Sequence, residues 1–201
     1  QENVNDIEED NSNLEEENLN EAVIAVPDFW EKANKDELLF LFDNTFPVKS
    51  SVLTNFLIDS LVLNSTSPKN FTEDEFNHLK IINLIKLEQR KKAFDLINKA
   101  NADSDYKDFY NTIKLNYFFS SYELSRACDF VNSINRKEST INENFLLKVD
   151  IFCSFIQDKV DEANFLNSLL EDLNDTDQYF QKIYLNLKNL DKNQIDITHY
   201  N

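Results

Sequence analysis

The chain has 201 residues, 41% apolar and 12% aromatic, long enough to bury one ordinary core or to build a short repeat array. It has no glycine and only three prolines, which excludes glycine-rich phosphate-binding loops and most hairpin-rich β folds. Its formal charge of −17 argues against nucleic acid or an anionic membrane as a partner.

Residues 1–21 carry nine acidic side chains and no Lys or Arg. Such a composition predicts a disordered acidic segment, taken here to residue 27, with the apolar stretch Ala22–Val26 and Pro27 at its end. Residues 28–71 read as an N-terminal helical cap or a degenerate repeat. Asp28 followed by Glu31 suggests the start of a helix that runs through Asp43 and stops before Pro47. A second helix fits 50–63. Further helices are expected near 73–87, 89–101, 105–120, 122–135, 141–157, 159–173 and 176–189. Thr72 with Glu75, and Thr140 with Glu143, have the spacing of capping boxes. The sequons at Asn64, Asn70 and Asn174 are expected by chance in so Asn-rich a chain. No apolar run is long enough to span a membrane. A start at Gln1 with no Met anywhere is what a cleaved export signal, or trimming, would leave. The expected location is therefore periplasmic or otherwise exported, with the cytoplasm as the alternative.

The helices from residue 72 onward share a frame. With n as the first apolar position, Phe76, Tyr110 and Leu146 take n, and Leu79, Ile113 and Val149 take n+3. Ile85, Phe119 and Phe155 take n+9, Ala93, Ala127 and Ala163 take n+17, and Leu96, Phe130 and Leu166 take n+20. A fourth unit would open at Phe180 with Ile183 at n+3. A two-helix unit of about 34 residues, with a bulky residue, an aliphatic three later and a small residue opening the second helix, resembles the tetratricopeptide repeat family. The likeness covers residues 72–189 of the 72–201 repeat region. Lys80, Lys114 and Asp150 stand where the family has Gly, and the Ala comes one residue later than usual. The resemblance implies an all-α fold, a short right-handed α-solenoid of tetratricopeptide-like helical hairpins.

It also implies a groove lined by first helices at n+1, n+5 and n+8. Asn77, Asn111 and Leu147 stand at n+1, Ile81, Leu115, Ile151 and Leu185 at n+5, and Phe118 at n+8. These are the candidate partner-binding residues, an apolar ladder flanked by amides suited to a peptide backbone. Three other coverings compete with a partner: ordinary packing by neighbouring helices, a lipid-like ligand, and the chain's own Ala22–Val26 segment.

The only cysteines, Cys128 and Cys153, fall at n+18 of one unit and n+7 of the next. Antiparallel neighbours in such a stack set these positions side by side, where a disulfide or two reduced core thiols both fit. Zinc would need more ligands than the distant His78 and His199 provide, and no C-x-x-C motif or nearby His points to thiol chemistry. No catalytic, cofactor or metal set stands out. The expectation is a non-enzymatic scaffold or adaptor that binds another protein or peptide. The alternative is a structural subunit buried in a larger complex.

Overall fold

The computed structural model describes residues 30–63, 66–173 and 177–196, and they are all-helical. The segment 1–27, with Asp28 and the Ala22–Val26 stretch, lies outside the described residues. The helices are α1 (Lys35–Asn44), α2 (Ser51–Leu63), α3 (Glu73–Lys86), α4 (Arg90–Ile97), α5 (Lys107–Ser120), α6 (Leu124–Ser133), α7 (Glu143–Ile156), α8 (Val160–Asp172) and α9 (Gln178–Asp196). The first helix begins later than its expected cap. Asn34 closes it, accepting from the Glu37 N–H at 3.0 Å while the Glu37 carboxylate accepts from the Asn34 N–H. The Thr72–Glu75 capping box forms as expected.

Helices α1 and α2 precede the hairpins and share a core with α3. Trp30, Leu38, Phe42, Ile58 and Leu61 share one core with Phe76 and Ile81 of α3. The Trp30 indole donates to the Ser60 carbonyl at 3.0 Å, and Lys35 pairs with Glu75.

Three hairpins follow, α3–α4, α5–α6 and α7–α8, and each turns the same way. Gln89, Glu123 and Lys159 each donate their N–H to the carbonyl five residues back, at 2.8 Å in every case. The preceding residue donates to the carbonyl three back, which completes the Schellman closure of a helix C-terminus. This closure demands a left-handed residue, and without glycine the chain uses Glu88 (φ 60°), Tyr122 (φ 59°) and Asp158 (φ 57°). Each is at n+12. A Cβ in this region costs about 1–2 kcal/mol, and Tyr122 offers no packing in return, since it is 88% exposed. Tyr122→Gly should therefore raise stability by about 0.5–1 kcal/mol after allowing for the greater freedom of glycine in the unfolded chain. A denaturation midpoint at or below wild type would contradict this.

Past each turn, Ala93, Ala127 and Ala163 occupy the fourth position of the second helix, all 0% exposed. Here the paired helices come close, as the small side chain allows.

The linkers between hairpins are also tied in register. Asp74 and Asp108, both at n−2, accept hydrogen bonds from Ser104 (2.9 Å) and Ser139 (3.2 Å) of the linker leading to the next hairpin. Each serine in turn accepts the N–H two residues on, from Tyr106 or Ile141. Thr140 gives both its N–H and its hydroxyl to Asp108. It is thus a latch and not the expected capping residue of α7; Asn142 takes that role, accepting from the Phe145 N–H at 3.1 Å. A carboxylate 32 residues away outcompetes the local cap. Partial burial opposes ionisation of Asp108, but the bonds from Thr140 and Ser139 prevail and hold it below the usual carboxylate range. A folded-state pKa below the unfolded one gives stability that is present above about pH 4 and lost as pH falls through the folded value. Asp108→Asn should cost about 2 kcal/mol at neutral pH, from lost charge-assisted bonds. The gap to wild type should shrink on acidification; a gap independent of pH would show that the charge is not what holds the linker.

Candidate partner-binding face

Each first helix lies between two second helices. On one side, n+5 packs against its own partner: Ile81 clusters with Ala93 and Ile97, Leu115 with Cys128 and Val131, Ile151 with Ala163 and Leu170. On the other side, n, n+3 and n+7 meet the preceding hairpin, as Leu146, Val149 and Cys153 meet Cys128 and Val131. The expected n+5 ladder is therefore interior. Ile81, Leu115 and Ile151 are all 0% exposed, and Phe118 and Leu147 are buried as well. Asn77 and Asn111 are half-buried, and of the expected set only Leu185 on α9 is well exposed. Neighbour packing is what covers the ladder. The fourth unit is also displaced: among the described side chains of α9, Tyr184 and not Ile183 is the buried one.

The contact between n+18 of one hairpin and n+7 of the next recurs with different chemistry. Phe94 stacks on Tyr117 with ring centroids 4.2 Å apart. At the equivalent place one junction later, the Cys128 and Cys153 sulfurs lie 2.05 Å apart, at bonding distance. At the third junction, Asn164, again n+18, accepts at 2.6 Å from the hydroxyl of Tyr184, which stands at n+4 of the displaced fourth unit and not at n+7.

With two sides covered, the remaining side of the first helices runs through n+2, n+6 and n+9. It holds His78, Ile82 and Ile85 on α3, Thr112, Asn116 and Phe119 on α5, and Lys148, Phe152 and Phe155 on α7. All are half-buried except Asn116, which is exposed. This is the expected first-helix face moved one residue along the chain. The late alanine was the signal for the shift: an origin one residue later restores its usual spacing and turns n+5 inward. The His78 ring lies flat on Tyr106, centroids 3.6 Å apart, with Phe109 at its edge 5.1 Å away. Burial lowers its pKa against the pull of Asp74, which favours the neutral imidazole. It acts there as an aromatic plate between hairpins.

No protein-family model matches the chain, and neither any curated protein nor any solved structure does. The reading of the face therefore rests on its own geometry.

Two other apolar surfaces lie at the ends of the array. Leu39, Phe40 and Leu41 of α1 and Val52, Leu53 and Phe56 of α2 are exposed, Phe40 and Val52 by 72% and 74%. Phe165 and Leu169 of α8 and Leu173 at its C-cap form an exposed stripe. The same frame positions hold Asp95, Lys99 and Asp103 in the first hairpin and Asp129, Ser133 and Lys137 in the second. Among the described residues, no group of three or more His, Cys, Asp or Glu is placed to hold a metal ion, and no helix is long and apolar enough to cross a membrane.

Proposed function

We propose that this chain is a non-enzymatic adaptor whose hairpins form a tetratricopeptide-like solenoid and whose first-helix face takes a segment of another protein. The observation that carries this reading is the row at n+2, n+6 and n+9. It sets Ile82, Ile85, Phe119, Phe152 and Phe155 along one side of three helices, half-buried and interrupted by the Asn116 amide. Half-buried apolar side chains beside an amide suit a peptide, which needs both apolar contact and backbone partners. The cysteine pair suits an oxidising compartment, in keeping with an exported protein.

A second reading, a subunit built permanently into a larger assembly, is favoured by the apolar surfaces at both ends. A photocrosslinking residue placed at 82, 165 or 40 in the native cell separates the two. Protein adducts at 82 are expected for the adaptor. Quantitative adducts at 165 and 40 with none at 82 would replace it with the subunit.

A further inference from the structure

The junctions between hairpins can be compared position by position along the first-helix face. At the second junction, Phe119 (n+9) meets Phe152 (n+6 of the following helix) edge-on, centroids 5.4 Å apart. At the third, Phe155 (n+9) meets the ring of Tyr184, which comes from n+4 of the displaced α9, 5.8 Å away. At the first, the same two positions hold Ile85 and Asn116, neither of which carries a ring; the neighbouring ring is that of Tyr117, stacked on Phe94. A cavity of about 360 Å³ lies there, lined by Ile85, Arg90, Ile113, Asn116 and Tyr117. A dry cavity of roughly 150 Å³ already admits benzene, so there is room for a ring of the kind the other two junctions supply from within.

The rim adds a second requirement. Arg90 is exposed and makes no ion pair among the described residues. Its frame position holds Leu124 in the second hairpin and Val160 in the third, so the guanidinium is particular to this cavity. A guanidinium beside an apolar hole selects a carboxylate carried close to the ring. The exposed Asn116 amide can pair with a peptide bond. Residues 1–28 hold ten of the acidic side chains and no basic one, so the formal charge of the rest is only −7 (−17 less −10) and does little to repel such a ligand.

We propose that the first junction is a receptor for a Phe or Tyr side chain of another protein's peptide segment, with an adjacent Asp or Glu held by Arg90. The cavity stands where n+9 and n+6 carry no ring of their own, and the incoming side chain takes the place that Phe152 fills beside Phe119 one junction later. This deepens the adaptor reading and rests on it.

The test is a methyl NMR titration of the full chain, labelled at isoleucine, with three capped dipeptides: acetyl-Phe-Asp-amide, acetyl-Phe-Asn-amide and acetyl-Ala-Asp-amide. The Phe-Asp probe should shift the Ile85 and Ile113 methyls saturably. The Phe-Asn probe, or the Arg90→Gln protein with Phe-Asp, should bind at least 5-fold more weakly, and Ala-Asp should give no shift. Asn116→Phe should abolish binding while melting at or above wild type, because it fills the cavity as Phe152 does one junction later. If that variant melts lower, Ile85→Phe fills the cavity from the other side, as Phe119 does. Absence of saturable shifts, equal binding of the two Phe probes, or unchanged binding to a folded cavity-filled variant overturns the proposal. None of these results bears on adducts at position 82, so the receptor can fail while the adaptor reading stands.

Discussion

Leu115→Asp should unfold the chain or come close to it. Leu115 is wholly inaccessible and lies between its own second helix and the next hairpin, touching the core that holds Cys128, Val131 and Leu146. The substitution deletes a buried leucine, which alone costs about 2–5 kcal/mol, and leaves a carboxylate with no cation prepared for it, a further several kcal/mol. Domains of this size have only about 5–15 kcal/mol in hand. Circular dichroism should show lost helix at 25 °C, or a denaturation midpoint far below wild type. Asn116→Asp, one position along on the exposed face, should stay within about 0.5 kcal/mol of wild type. If Leu115→Asp melts normally, Leu115 is a surface residue and the ladder belongs back in the groove.

Loss of the cysteine pair should have the second largest effect. The link closes a loop with a separation of 25 residues, and the chain-entropy relation puts that constraint at about 3.5 kcal/mol. Cys128→Ala with Cys153→Ala should lower the unfolding free energy by about that amount, with a little more from lost packing at two buried positions. Mass spectrometry of unreduced wild type should give one linked peptide pair and two fewer hydrogens than the reduced chain. Free thiols in protein taken from its native compartment would mean that the pair is two packed thiols, and reduction would then leave the midpoint unchanged.

These two expectations mark what the sequence does and does not reveal. The hairpin spacing is readable because the alanines at 93, 127 and 163 recur in step with the bulky helix starts. The cysteine pair follows from the same frame. Which side of a first helix faces its own partner is harder to read. Positions n and n+1 lie only about 100° apart on a helix, and both sides are buried here, so an apolar pattern fits either register. The alanine spacing held the answer, one residue late. Thr140 misleads for another reason: its spacing to Glu143 is that of a cap, but Asp108 captures it from the preceding hairpin, and that contact leaves no local trace. The cavity at the first junction is visible only after the register is known, since Ile85 and Asn116 mean nothing until they are set beside Phe119 and Phe152.

The placement of the sulfurs also governs what a protease can do. Cys128 and Cys153 lie on either side of the linker 134–142, the stretch between α6 and α7. A cut anywhere in that linker divides the chain into two pieces that stay joined through sulfur, and the nicked molecule still travels as a single band until a reductant is added. A cut in the linker 98–106, where the junction is closed by the rings of Phe94 and Tyr117, has no such tether. Limited digestion at these two linkers should thus release an N-terminal piece carrying α1–α4 and leave the two parts of the remainder joined through sulfur.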